Sequence, residues 1–232
     1  MADYTDYPQS GNIQGYWPLN EASGNAIDAG PNGNDLTETS GTIATVAEFL
    51  TARNCRDIEE GDTEYFAITD AAQTGLNPTS NMTISAWIKM EGNPGAENDC
   101  IVSKYLAAGD MRCFALYVDG NNSDKVNFHC SPDGTSGASI ESLSADSLVL
   151  GIWYFVTGVM DDTGNELRVY INGHQNGSGT AYVGGIADKA SEFRIGSMDS
   201  GGLWDGEIAE VVFWDTALTA AEIKQAMEVW RP

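Results

Sequence analysis

The sequence predicts an all-β sandwich or barrel that closes with one short helix. Three observations carry this reading. Turn-forming clusters recur along the chain, at Gly24-Asn25, Pro31-Asn32-Gly33-Asn34, Asp119-Gly120-Asn121, Asp133-Gly134, Thr163-Gly164-Asn165, Asn172-Gly173 and Asn176-Gly177. Short apolar or alternating runs lie between them, as expected of strands bounded by turns. The last segment breaks the pattern, with apolar residues returning at helical instead of alternating spacing.

Tyr65–Ile68 reads as a short strand. In Met82–Met90, Ile84, Ala86 and Ile88 fall on one face and Ser85, Trp87 and Lys89 on the other, the period of a half-buried strand. Cys113–Val118 and Lys125–Cys130 read as a hairpin, and Ile152–Met160 with Glu166–Asn172 as a second. Phe193–Ile195 and Ile208–Trp214 supply further strands. Thr219 and Glu222 have the spacing of a capping box, and Ile223, Ala226, Met227 and Trp230 follow at helical spacing. No strong repeat and no low-complexity linker divides the chain. One domain over 13–232 is expected, preceded by a loose polar arm over 1–12.

The chain has 232 residues, a size that fits one large β domain or two small domains. Its 34 acidic residues against 11 basic leave a formal charge of −23. That balance excludes a nucleic-acid binder, whose affinity comes from clustered Lys and Arg, and argues against an anionic membrane surface. With 42% hydrophobic residues the chain is too apolar for a disordered acidic tail. No basic and apolar leader opens it and no window suits a membrane span, so the expectation is synthesis in a cytoplasm without membrane insertion. Cys55, Cys100, Cys113 and Cys130 lack the spacing of a zinc site, and reduced core thiols are expected. A turn centred between Asn121 and Asn122 would set Cys113 directly opposite Cys130, with Cβ atoms about 4.5–5.5 Å apart, near disulfide reach.

A longer series of motifs runs in order along the chain. It begins at Gly15-Tyr-Trp-Pro-Leu-Asn-Glu21 and Gly30-Pro-Asn-Gly-Asn34. It continues through Tyr65-Phe-Ala-Ile68, Met82-Thr-Ile-Ser-Ala-Trp-Ile88, Ile101-Val-Ser-Lys104 and Phe114-Ala-Leu-Tyr-Val118. It ends with Trp153-Tyr-Phe-Val-Thr-Gly-Val159, Leu167-Arg-Val-Tyr-Ile-Asn-Gly173, Phe193-Arg-Ile-Gly-Ser197 and Trp204-Asp-Gly-Glu-Ile-Ala-Glu-Val-Val-Phe-Trp214. In this series the chain resembles the laminin-G-like, concanavalin A-like jelly-roll family. The resemblance implies an antiparallel two-sheet jelly-roll sandwich of about six or seven strands per sheet, one face concave. It departs at Tyr154 and Phe155, where many members carry two His, and at Ala209, where an Asp is common.

Candidate site residues follow. Glu60-Gly-Asp-Thr-Glu64 matches the Glu-x-Asp-x-Glu motif of β-glucanases that share the sandwich. Retaining hydrolysis needs two carboxyl groups about 5–5.5 Å apart, whereas residues four apart on a flat strand are about 13 Å apart. Here Gly61 and Thr63 separate them, and the segment reads as a solvated turn. His129 beside Cys130 in a strand points to the opposite face, so the two form no nucleophile–base pair. Ca²⁺ is the expected cofactor: it takes six to eight oxygens, and the matching Asp-rich turn and final strand of the family nominate Asp28, Asn34 and Glu210 as ligands. Sugar stacking needs exposed rings, for which Tyr105, Tyr117 and the loop residue Trp204 are the candidates. The function expected is a non-catalytic binding or display module for glycans or a polymeric coat. The alternatives are a virion protein with capsid or tail partners and an oligomeric state set by particle symmetry, and a glucanase using Glu60 and Glu64.

Overall fold

Short alternating runs cannot bury an apolar face alone, and here they do so by pairing into two stacked layers. The computed structural model describes residues 3–49, 53–93, 97–198 and 201–230. Its strands are β1 (Ile13–Trp17), β2 (Thr37–Thr39), β3 (Ala44–Phe49), β4 (Arg53–Ile58), β5 (Tyr65–Ile68), β6 (Met82–Met90), β7 (Asn98–Leu106), β8 (Met111–Asp119) and β9 (Lys125–Cys130). They continue as β10 (Ile140–Ser147), β11 (Trp153–Asp161), β12 (Glu166–Ile171), β13 (His174–Gln175), β14 (Thr180–Ala181), β15 (Phe193–Ile195), β16 (Ser197–Met198), β17 (Gly201–Leu203) and β18 (Gly206–Trp214). One helix, α1 (Ala220–Glu228), follows.

One sheet has the order β13-β12-β11-β6-β18-β4-β3, with β1 also on β18 and β14 on β12. The other has the order β10-β9-β8-β7-β15-β5-β2. Every pairing between them is antiparallel, and the result is the two-layer jelly-roll sandwich with a C-terminal helix that the motif series implies. The inner faces meet over one core that includes Trp17, Phe66, Ile84, Phe114, Phe193 and Phe213. Ile84, Ala86 and Ile88 turn inward as the alternation of β6 requires, while Trp87 faces out under α1. The helix closes with the expected capping box, Thr219 accepting from the Glu222 amide and the Glu222 side chain reaching back. Its buried residues Ile223, Ala226 and Met227 seal the outer face of the nine-stranded sheet.

Two local expectations change. Residues 3–12 form no loose arm, since two 3₁₀ turns carry Tyr7 into the cluster under the helix. The Tyr7 ring lies 5.4 Å from Tyr16 and 6.0 Å from Trp214, and the Trp214 indole donates to the Pro8 carbonyl at 3.0 Å. The apolar body of one tyrosine outweighs the polar composition around it. The hairpin of β8 and β9 is also offset by one residue. Phe114 faces Cys130, because Gly120–Asn122 make a 3₁₀ turn and both Ser123 and Asp124 take positive φ. Cys113 sits beyond this pairing, on a bulge of β8 against β7, with its carbonyl accepting from Ser131. All four cysteines are buried and none is joined in a disulfide. Among the described residues no helix is long and apolar enough to cross a membrane.

Candidate functional site

The outer face of the seven-stranded sheet carries a groove whose floor follows from the register. Ala115 faces His129, which faces Glu141, so β8, β9 and β10 present these three in one row. Cys100, Tyr117 and Asn127 form the next row. Small Cys100 and Ala115 leave a depression between larger side chains, and Tyr105 and Met198 pack against its side. The groove has a volume of about 170 Å³ and is lined by Asn98, Tyr105, Arg112, Tyr117, His129 and Glu141, among others.

Arg112 reaches this face through a backbone irregularity. Phe114, Leu116 and Val118 point into the core, so simple alternation would send Arg112 inward too. The extra residue at Cys113 reverses the parity and sets Arg112 beside Tyr105. Its Nε donates to the Tyr105 hydroxyl at 3.2 Å and its Nη1 to Asp110 at 2.8 Å. The Tyr105 ring meets the His129 ring edge-on at 5.3 Å.

Glu141 organises the far wall. Its Oε1 accepts from the Tyr117 hydroxyl at 3.1 Å and lies 3.7 Å from His129 Nδ1, while Oε2 accepts from Asn127 at 3.3 Å. His129, with Asn127 and Tyr117, holds the Glu141 carboxyl below the usual carboxylate range. Burial, reinforced by Glu141, pushes the Tyr117 phenol up. His129 Nε2 and Asn98 Oδ1 are buried atoms without a hydrogen-bond partner. Buried polar groups are ordinarily satisfied, and an unpaired one in a groove marks where a ligand atom or water fits.

Of the three aromatic candidates, the fold brings Tyr105 and Tyr117 together. Tyr105 is half-buried, with the Arg112 guanidinium 5.7 Å from its ring centroid and the His129 ring meeting it edge-on, whereas Tyr117, at 4% exposure, is the floor. Trp204 is fully buried in the core between the sheets and offers no platform. Arg112, His129 and Glu141 are the residues that sequence reasoning missed. Their convergence depends on register across four strands and on the bulge at Cys113.

The calcium candidates do not converge as a ligand set. Asp28 Oδ1 accepts from the amides of Tyr16 and Gly30 at 2.9 and 2.8 Å, and Oδ2 from Asn34 at 2.7 Å. The Asn34 side chain spans the Gln14 and Thr74 backbones. Both therefore brace turns with the oxygens that a cation would need. Glu210 lies at the other end of Tyr16, accepting from its hydroxyl at 2.7 Å. These residues do not fit a shared Ca²⁺. Among the described residues, the carboxylates close enough to hold an ion are Asp57, Glu59 and Glu91.

Glu60 and Glu64 also separate. Glu60–Asp62 form an exposed 3₁₀ turn, Thr63 takes the left-handed conformation, and Glu64 turns back to accept from the Glu59 amide at 3.1 Å. The motif lies on a turn, not on a strand facing a cleft.

The sandwich matches many solved structures. Domain 4 of an extracellular GH43 arabinanase from Geobacillus stearothermophilus, solved with arabinotriose, superposes with a TM-score of 0.71 at 16% identity, covering 93% of this chain and 98% of that one. The Trypanosoma rangeli sialidase gives 0.65 at 18% identity over 92% of this chain, which spans only 32% of the sialidase. The receptor-binding domain of a botulinum neurotoxin mosaic of serotypes C and D gives 0.72 at 12% identity, with coverage of 96% and 52%. At these identities the likeness is one of fold. No curated protein sequence matches the chain. A family model described as the concanavalin A-like lectin/glucanases superfamily matches residues 60–224, most of the sandwich, and the chain belongs to that superfamily.

Proposed function

We propose that this chain is a non-catalytic glycan-binding module whose ligand lies in the groove of Tyr105, His129 and Glu141. The observation that carries the reading is the half-buried Tyr105 ring beside two buried, unpartnered polar atoms, His129 Nε2 and Asn98 Oδ1. A ring face takes the apolar side of a sugar, and fixed acceptors and donors take its hydroxyls. The lining favours a neutral sugar. Glu141 and Asn98 are acceptors, Arg112 is already engaged by Tyr105 and Asp110, and the whole chain carries a charge of −23. Complexes of the sandwich relatives support the class of ligand: the arabinanase domain was solved with arabinotriose, and cell entry of botulinum neurotoxin type C depends on ganglioside. The absence of catalysis is likewise part of the proposal, supported by the divergence of Glu60 and Glu64. Display on a virus particle stands second to glycan recognition: an arm free to order on docking would favour it, and Tyr7 and Pro8 already pack on the sheet.

The test is titration calorimetry against neutral and anionic oligosaccharides, chosen from a glycan array, with and without calcium. Binding of a neutral sugar that weakens about tenfold or more in Tyr105→Ala supports the reading, a tenfold change being about 1.4 kcal/mol. Silence of the whole array at millimolar sugar, or an affinity unchanged by Tyr105→Ala, overturns it.

A further inference from the structure

A second cavity lies on the opposite layer, where β18 changes partner. Along one edge, β18 pairs with β6 almost throughout. Along the other it pairs with β4 at Gly206–Ile208 and with β1 at Val211–Trp214. Between these two partners β4 and β1 part, and Glu210 stands at the fork. Its amide donates to the Pro18 carbonyl at 3.3 Å.

The backbone here is built for that position. Ile208 points into the core, and strict alternation would send Glu210 there as well. A bulge between Ala209 and Val212 interrupts the β6 pairing, and Glu210 takes φ of 54°, a left-handed conformation that costs a non-glycine residue about 1 kcal/mol or more. The side chain then emerges on the outer face among Tyr7 and Tyr16. Both hydroxyls donate to Oε2, at 3.4 and 2.7 Å, and Tyr7 in turn accepts from the Trp230 indole at 2.5 Å. This chain of bonds holds one carboxyl oxygen, and Glu210 lines a cavity of about 330 Å³. Asn20, Arg53, Asn54 and Trp230 complete the lining. The Arg53 guanidinium lies 4.3 Å above the Trp230 ring at the mouth. Asn54 donates through Nδ2 to the Asn20 carbonyl at 3.3 Å, which leaves its Oδ1 as an acceptor.

The chemistry of the cavity is polarised. A carboxyl at 3% exposure sits at its base and a guanidinium at its rim. One carboxyl group and an amide oxygen are too few for calcium, which takes six to eight oxygens. An ammonium group needs three acceptors at most, and its charge favours the ionised form of the buried carboxyl, which releases its proton to solvent as the ligand binds. The volume suits a small molecule. We propose that this cleft binds a small zwitterion of the α-amino acid class, its ammonium on Glu210 Oε1 and Asn54 Oδ1 and its carboxylate on Arg53. The site is independent of the sugar groove and lies on the other sheet.

Titration calorimetry with glycine, ethanolamine and acetate as probes, followed by larger amino acids, tests it. Glycine or a larger amino acid should bind at millimolar concentration or tighter, with ethanolamine and acetate each about tenfold weaker or worse. Glu210→Gln and Arg53→Gln should each weaken the amino acid about tenfold, while Tyr105→Ala leaves it unchanged. Melting curves of both variants at acidic pH check that they fold. Ethanolamine binding as tightly as the amino acids removes the role of Arg53 and overturns the zwitterion assignment. Absence of any amino-acid binding, or equal binding by wild type and the folded variants, overturns the site. Loss of sugar binding in Tyr105→Ala bears only on the groove.

Discussion

Neutralising Glu210 should flatten the pH dependence of stability at this one position. Burial is the largest influence on its carboxyl, with Glu21 acting in the same direction. The Tyr16 and Tyr7 hydroxyls and Arg53 oppose them, and the balance raises the group from its usual 4.5 to about 8. Between those two values the unfolded chain gives up the proton while the folded chain keeps it. The folded state therefore binds more protons, and stability falls as pH rises through the window. The slope is about 1.4 kcal/mol per pH unit, which sums to on the order of 4 kcal/mol across it. For a chain of this size that is roughly 10 °C in melting temperature. Glu210→Gln keeps an oxygen to accept from Tyr16 and carries no proton to lose. Wild type and variant should melt together near pH 4.5, and the variant should lead by several degrees at pH 8. Asp99, also raised to about 8, and Glu207, raised to about 7, bend both curves alike, so the difference between them isolates Glu210. The assay is calorimetric or circular-dichroism melting across that range. Parallel curves for the two proteins would refute the reasoning, because they would mean that Glu210 ionises as readily when folded as when unfolded.

Two further outcomes follow from packing. A Cβ on Gly158 would run into the ring of Phe128 across the core, so Gly158→Ala should cost about 1–3 kcal/mol in denaturant midpoints, and a neutral substitution would show that the two sheets can slide apart. Lys104, at 1% exposure, holds Asp70 at 2.7 Å, Gln73 at 2.8 Å and the Ser191 carbonyl at 2.8 Å. Asp70→Ala leaves its ammonium on neutral acceptors and should cost about 2–4 kcal/mol, with recovery in the double variant Asp70→Ala, Lys104→Met; a loss in the double equal to that in the single would refute an electrostatic origin.

The regular parts of this fold were legible because they obey the period of two. Tyr65–Ile68, Met82–Met90 and Phe193–Ile195 are strands with the boundaries that the alternation marks, and Thr219 with Glu222 announces the helix through its own hydrogen bonds. The β8–β9 hairpin was legible in existence but not in register. Whether its loop is centred between Asn121 and Asn122 or on Asn122 depends on the left-handed pair Ser123 and Asp124, and an asparagine-rich turn accommodates either. Tyr7 was misjudged because its partners, Tyr16, Trp214 and Trp230, come from both ends of the chain. Trp204 reads as a loop aromatic, and only the closure of two sheets over it shows that it is core.

The two proposed sites share the reason that they were hidden. An alternating pattern assigns each side chain to core or surface, and one extra residue reverses every assignment beyond it. At Cys113 that reversal sends Arg112 out of the core and onto Tyr105. At Glu210 it takes a carboxylate that parity would bury between the sheets and seats it under two phenols at the fork of β1 and β4. In each case the sheet gives up ladder regularity, and at Glu210 it also accepts a left-handed glutamate. A stable core of this size does not need either irregularity for its own packing, since the residues flanking both bulges, Phe114 and Val211, still face inward. The irregularities place ionisable groups on the outer faces, one over each sheet, and that placement is what makes those two positions the ones from which to expect binding.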